Sequence, residues 1–314
     1  MLEIEEKLIK IHNAIDISPN KKKGKIYHYT SPEGLLGIIS NKQIFASDML
    51  YLNDSAEGRY ALELLRDICQ EDYPDNNILQ QSVDFEIKNI MDGAPGKYYS
   101  YIISFSEGDD LLNMWNYYTK GNSVEGYNIG FDITKLAESI KLYTADVDKG
   151  KTTGVLKPIH GRINYDPNKQ TEKIREILHE YVEAVSDEPD ADEIFDSDIF
   201  RYLLVRKIYF LGLFYKSPKF KSEKEYRFVY NLPILEKDED LQKMGIPYKE
   251  EYRTKNGILI PYQRCCFSTD SVVSVMCAPT NDFIHTAAGV KRLLSFEFKT
   301  IQSEIHKSEI TLRY

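Results

Sequence analysis

Apolar positions in the first sixteen residues recur at helical spacing, with Ile4, Leu8, Ile11 and Ile15 on one stripe and glutamates and lysines opposite. That pattern predicts an amphipathic helix whose stripe docks on the body of the protein or on a partner chain. Ser18 to Gly24 then reads as a linker. From Lys25 the pattern changes: Ile26-Tyr27-His28-Tyr29 suits a short strand, and Ser31-Pro32-Glu33 supplies an N-cap, a first-turn proline and a carboxylate at the positive end of a helix. Leu35, Leu36, Ile38 and Ile39 give that helix an apolar side, Asn41-Lys42 ends it, and Gln43 to Ser47 returns as a strand. His28 falls at a strand end facing a turn, where a rigid support exposes polar groups.

Further along, Asp54-Ser55-Ala56-Glu57 has capping-box spacing and predicts a helix to about Gln70, and a second covers Asn77 to Met91. Lys97 to Phe105 reads as a strand with Tyr101, Ile103 and Phe105 on one face. Leu111 to Thr119 is a short helix presenting Met114, Trp115, Tyr117 and Tyr118, and strands are expected at Gly126 to Asp132 and Gly154 to Tyr165. Helices over Lys169 to Ala184 and Phe200 to Phe214 flank the acidic run Ser186 to Asp198, which reads as a solvated, mobile connection. On the strand beyond Lys219, Glu223, Glu225 and Arg227 share one face, so that face is either solvent or the lining of a polar cleft. Asn256-Gly257 marks a hairpin turn, Val272 to Cys277 a strand, and Pro279 to Asp282 the approach to a helix, with late strands at Leu293 to Phe298 and Glu309 to Arg313. The mixed order predicts an α+β fold with largely antiparallel central sheets flanked by helices.

Composition narrows the picture only a little. A net charge of −9 over 314 residues disfavours a broad phosphate-gripping surface, although Lys21 to Lys23 and Lys216 to Lys224 are locally basic. The 23 tyrosines fit sheets with aromatic surfaces and equally fit a compositional bias. The four cysteines, Cys69, Cys265, Cys266 and Cys277, have neither C-x-x-C nor metal-ligand spacing, which predicts a reducing, cytoplasmic setting. No window approaches a membrane span, and the charged N-terminus is unlike a secretion signal.

The chain lacks a Walker A loop, H-E-x-x-H, G-x-S-x-G and a G-x-G-x-x-G after a strand. What remains is His28, a set of aromatic residues and Glu223-x-Glu225-x-Arg227. A histidine donor, an aromatic wall and a carboxylate suit chemistry at a sugar carbon, where a nearby carboxylate stabilises an oxocarbenium-like transition state. Each residue also has a plainer role: a hydrogen-bonding histidine, a surface ion pair, and core aromatics at helical spacing.

The tokens Tyr27-His28-Tyr29-Thr30, Leu52-Asn53-Asp54-x-x-Glu57, Ser104-Phe105-Ser106, Met114-Trp115-x-x-Tyr118, Gly130-Phe131-Asp132 and Phe220-x-x-Glu223-x-Glu225-x-Arg227 resemble a bacterial family, domain of unknown function 2971 (DUF2971), over about Lys25 to Tyr230. That family in turn distantly resembles the ADP-ribosyltransferase fold, including DNA-modifying toxins whose first strand carries H-x-T. The resemblance implies an N-terminal helix and linker over 1–24 and one ADP-ribosyltransferase-like domain over 25–314. It implies a transferase that takes NAD, acting as a toxin or phage-defence effector on a nucleic-acid, protein or water acceptor. Glu225, Glu223 and His28 would be the catalytic residues. His28, Tyr29, Thr30, Tyr51, Ser104, Ser106, Trp115, Tyr118 and Arg227 would hold NAD. Phe105 departs from the S-T-S strand of the arginine-modifying class, which also opens with arginine where this chain has His28.

Two other functions remain open from the residues. One is a catalytically silent nucleotide-binding or sensor domain working through a protein partner or a homodimer at the N-terminal helix. The other is a metal-dependent nuclease using Asp48, Asp54, Glu57 or Glu225, for which no recognised ligand spacing exists.

Overall fold

The computed structural model describes residues 2–52, 58–91, 98–118, 125–146, 151–233, 250–255, 257–279, 282–298 and 304–311. The expected cap at Asp54 with Asn53 and Glu57, and the turn residues at 92–96, 121, 256 and 280–281, lie outside them. The chain divides into two compact units, one of Met1–Pro19, Leu52–Tyr98 and Ile163–Phe220, the other of Asn20–Tyr51, Tyr99–Arg162 and Lys221–Tyr314. Among the described residues no helix is long and apolar enough to cross a membrane.

The first unit is helical. Helix α1 (Leu2–Ala14) buries Ile4, Leu8 and the following Ile15 against α7 (Pro167–Ser186) and α9 (Asp198–Gly212), so the predicted stripe docks within its own unit. Lys207 Nζ donates to the His12 carbonyl at 2.6 Å and fixes the end of α1. Asp166 caps α7 by accepting from Asn168 N at 3.1 Å, and Pro167 opens its first turn. The acidic run is not simply a solvated connection. It contains a short helix α8 (Ala191–Phe195) because Ile194 and Phe195 are buried, Phe195 edge-to-face with Phe200 at 5.3 Å. Helices α3 (Tyr60–Asp72) and α4 (Asn77–Met91) complete the unit.

Among the described residues the second unit holds a 12-stranded, mostly antiparallel sheet, which makes the fold α+β. Strand β1 (Lys25–Thr30), helix α2 (Pro32–Asn41) and strand β2 (Gln43–Asp48) follow the predicted pattern. Ser31 Oγ accepts from Gly34 N at 3.1 Å, and Lys42 ends the helix with φ 54° while its N–H bonds the Ile38 carbonyl. Strand β4 (Tyr127–Asp132), which runs on into helix α6 (Ile133–Ser139), pairs β1, and β11 (Val272–Cys277) pairs β4. The edge strand β12 (Glu304–Lys307) runs parallel to β11. On the other side β10 (Ile258–Cys266) pairs β2, β5 (Lys141–Asp146) and β9 (Glu251–Lys255), with Gly257 at φ 79° in the tight connection.

Three expectations are corrected here. The strand predicted over Gly154 to Tyr165 is two, β6 (Lys151–Leu156) and β7 (Ile159–Arg162), because Pro158 has no N–H for a ladder. Leu293 to Phe298 is not a strand but the end of helix α10 (Phe283–Glu297), whose Val290 and Leu294 are buried at helical spacing. Residues 309–311 are not in a strand, and 312–313 lie outside the described residues.

The long strand β3 (Tyr98–Ser106) sets where the sheet opens. It pairs β1 at its end, Tyr27 opposite Ser106, and β2 nearer its start, Ser47 opposite Ile102 and Asp48 opposite Tyr101. It also pairs β8 (Glu225–Pro233), with Glu107 N donating to the Lys224 carbonyl at 2.8 Å and Ser100 Oγ bonding Asn231 Oδ1 at 2.9 Å. These two contacts lie at opposite ends of β3, so β8 occupies one whole edge. Strands β1 and β2 must share the other edge, and the stretch of that edge between their pairings, Ile103 to Phe105, is the notch.

Candidate functional site

His28 stands in the notch. Its Nδ1 lies 3.1 Å from the Ser104 carbonyl oxygen, and its ring meets Phe105 edge-on at 5.7 Å. A carbonyl only accepts, so Nδ1 carries the proton and Nε2 presents a lone pair, with no hydrogen-bond partner among the described residues. Burial pushes the imidazole pKa down from 6.5 to about 4, against the Ser104 hydrogen bond, and the nearby Arg253 charge lowers it further. The ring is therefore neutral across the physiological range and acts as an acceptor.

The far wall of the notch comes from β2 and β9. Arg253 Nη2 donates to Ser47 Oγ at 2.8 Å. Asp48, next in the chain, is only 4% exposed, and its Oδ1 accepts from Leu50 N at 2.8 Å. Burial raises its pKa to about 6, against that N–H, and the negative charge of Glu250 raises it further. Glu250 in turn accepts hydrogen bonds from the hydroxyls of Tyr101 and Tyr252. Tyr51, Tyr99 and Tyr252 present exposed rings around these two carboxylates. By strand alternation the imidazole, the Asp48 carboxylate and the Tyr101 ring share one face of the sheet, with Glu250 held to Tyr101, while Ser47 and the guanidinium bonded to it belong to the other, close enough for the Arg253 charge to lower the His28 pKa.

Glu225 does not face this group. Ser106 lies opposite Tyr27 on β1, and the β3–β8 contacts set Ser106 opposite Glu225. Side chains alternate along strands, so Glu225 and Arg227 share a face with Tyr27, Ser104 and Ser106. His28 shares the other face with Phe105, which packs on Phe228 at 5.5 Å. The Glu225 carboxylate is gripped by Arg227 in a bidentate pair at 2.6 and 2.9 Å, the two side chains 5% and 1% exposed. The charged face of β8 is therefore neither solvent nor open cleft. Glu223 precedes the strand, buried, and its carbonyl accepts from Ser106 Oγ at 2.7 Å.

The remaining predicted residues have structural surroundings. Trp115 is fully buried, donates Nε1–H to Asp110 Oδ1 at 2.7 Å and meets Tyr29 edge-on at 4.8 Å, with Tyr118 packed beside them. Tyr29 donates its hydroxyl to the Gly108 carbonyl and accepts from Leu111 N, both at 2.9 Å, which clamps the loop before helix α5 (Leu112–Tyr118). Thr30 sits over the first turn of α2, where its Oγ1 would lie 1.9 Å from a Cβ on Gly34. Of the residues assigned to NAD, His28 and Tyr51 thus line the notch side, and Ser104 contributes its backbone carbonyl.

Sequence reasoning missed Arg253, Glu250 and Tyr101, and took Asp48 only as a metal ligand. The β2–β3 register that juxtaposes Asp48 with Tyr101 depends on pairing between distant segments and leaves no local signature. Among the described residues no group of three or more His, Cys, Asp or Glu side chains could hold a metal ion.

Residues 114–228 match the family model described as Protein of unknown function (DUF2971), in keeping with the resemblance of the tokens from Met114 to Arg227. The matched segment contains Trp115, Glu225 and Arg227, and stops short of His28, Asp48 and Arg253 on either side. No curated protein and no solved structure gives a significant match.

Proposed function

We propose that the chain is an ADP-ribosyltransferase-like enzyme that takes NAD in the notch between β1 and β2, as a toxin or phage-defence effector would. The observation that carries this reading is the neutral His28, whose Nε2 lone pair has no partner among the described residues, which feels the Arg253 charge and which shares a sheet face with Asp48 and with Tyr101, the phenol that holds Glu250. These groups match the parts of a dinucleotide. Arg253 offers a fork for the pyrophosphate, His28 Nε2 accepts from a ribose hydroxyl, and the exposed rings of Tyr51 and Tyr252 can flank a flat heterocycle. Glu250, fixed by two phenol hydroxyls, holds negative charge where positive charge develops on the ribose. NAD supplies the glycosidic bond: nicotinamide leaves with the bonding pair, and an acceptor hydroxyl, amine or water forms the new bond at the ribose carbon and gives up its proton. Asp48, with its raised pKa, is suited to receive that proton.

On this reading the carboxylate of the notch, not Glu225, carries the chemistry. The test is nicotinamide release from labelled NAD with nucleic-acid, protein and water acceptors, using wild type, Glu250→Gln and Glu225→Gln. Release by wild type that Glu250→Gln abolishes supports the assignment. Release abolished by Glu225→Gln while that variant stays folded, with Glu250→Gln fully active, would overturn it.

One observation favours a second reading, a silent nucleotide-binding or sensor domain. The family resemblance assigns catalysis to Glu225, and Arg227 occupies both of its oxygens. Saturable NAD binding without turnover in any acceptor condition would select that alternative.

A further inference from the structure

On the face of the sheet away from His28, strands β1, β4, β11 and β12 lie side by side and floor a cavity of about 190 Å³. That volume is smaller than a dinucleotide site and suits a single ring. Its floor is built around a glycine. Gly130 lies opposite Tyr27 on one side and Ser274 on the other, and a Cβ there would come within 3.2 Å of Tyr27 Cε1 and 2.2 Å of Ser274 Oγ. The missing side chain lets the Tyr27 ring and the Ser274 hydroxyl close over β4.

Beside Gly130, Asn128 points the same way and is 1% exposed. Its Nδ2 donates to the Asp109 carbonyl at 2.5 Å and faces the Tyr29 hydroxyl. The Asp109 carbonyl only accepts, which fixes the amide orientation and leaves Oδ1 as the acceptor of that side chain. That Oδ1 is buried and has no hydrogen-bond partner among the described residues. Buried acceptors are satisfied in the great majority of cases, and one lining a polar cavity is placed for a ligand donor. The surroundings add more acceptors: the Asp109 carboxylate lies close enough to Tyr27 to help burial raise that phenol's pKa, and Glu304 at the rim is held 3.2 Å from His306 Nε2. Met276 lines the cavity as an adaptable apolar wall.

The geometry points to a binding site for a flat, donor-bearing N–C–N edge, as in an aminopyrimidine base or a guanidinium group, with Asn128 Oδ1 as the receiving acceptor. The site is separate from the notch and does not depend on the NAD reading. The ligand slides between Tyr27 and Met276, gives an N–H to Asn128 Oδ1, and turns its remaining donors toward Asp109 and Glu304.

The experiment is saturation-transfer NMR and calorimetry on the full chain, with cytosine, uracil and L-arginine as probes. Cytosine or arginine binds wild type, uracil binds at least tenfold more weakly, and which of the two binds tells a base from a guanidinium. Asn128→Leu and Gly130→Ala each lower the affinity at least tenfold, the first by removing the acceptor and the second by filling the floor. His28→Ala leaves it unchanged. Should both cavity variants fail to fold, Ser274→Val, which adds a methyl at the same floor, serves in their place with the same expected loss. The proposal is overturned if no probe binds wild type at millimolar concentration, or if a folded cavity variant binds as wild type does.

Discussion

Replacing Asp48 by asparagine should stabilise the protein above neutral pH while impairing its function. The carboxyl is 4% exposed, and its pKa rises from 3.8 to about 6 on folding, chiefly through burial. A raised acid pKa means that the folded state holds the proton more tightly than the unfolded chain. The penalty for ionising Asp48 in the fold is therefore absent below about pH 4, grows as pH rises from 3.8 toward 6, and is complete above that. The rise corresponds to about 3 kcal/mol at pH 8. Asparagine keeps an oxygen for the Leu50 N–H and cannot ionise. Urea unfolding of wild type and Asp48→Asn at half-unit steps from pH 4 to 8 isolates the effect, since every other group cancels in the difference. Near pH 4 the two proteins should be alike within about 0.5 kcal/mol, and by pH 8 the variant should be about 2–3 kcal/mol more stable. A difference that stays flat with pH, or a variant less stable at pH 8, would refute the claim that Asp48 is a strained acid. Such stored strain is common where chemistry is done, at a cost in stability.

The geometry fixes three further outcomes. Arg227→Met leaves the Glu225 carboxylate buried opposite an apolar group and should cost about 3–5 kcal/mol in urea unfolding, most of it recovered in the double variant Glu225→Leu/Arg227→Met; a loss under about 1 kcal/mol would mean the pair is solvated. The His28 ring should show no protonation step in imidazole ¹⁵N NMR between pH 5 and 8, with Nδ1 protonated throughout, and a midpoint near 6.5 would place it in water. Because its pKa is depressed in the fold, His28 also contributes a loss of stability as pH falls from 6.5 toward 4, which His28→Gln should remove. Gly34→Ala should destabilise α2 despite its better helix propensity, since its Cβ would meet Thr30 Oγ1 at 1.9 Å; unchanged thermal stability would show that Thr30 simply rotates away.

Local grammar was legible wherever the signal was local. Ser31 and Pro32 start α2, α4 runs from Asn77 to Met91 as its periodicity predicts, and the stripe of α1 is buried. Signals failed where apolar runs were short. Leu293 and Leu294 read equally as strand or helix, and helical packing through Val290 decided the matter. The site was legible only in part. His28 stood out because a strand end and a capped turn flank it. Glu225 stood out for its regular spacing with Arg227, but regular spacing on a strand is also how a buried ion pair is built. Whether His28 and Glu225 face one cleft depends on pleat parity across three strands, which is fixed by pairings more than seventy residues apart in sequence. Arg253 and Glu250 belong to a segment whose sequence names no partner, and only the sheet brings them to Ser47 and Tyr101.

A crystal structure of the full chain with NAD bound would test the notch assignment at its root. The dinucleotide should lie between β1 and β2, its pyrophosphate on Arg253 and a ribose hydroxyl within hydrogen-bond distance of His28 Nε2. NAD bound against Glu225 on the opposite face, with Arg227 displaced and the notch empty, would contradict it.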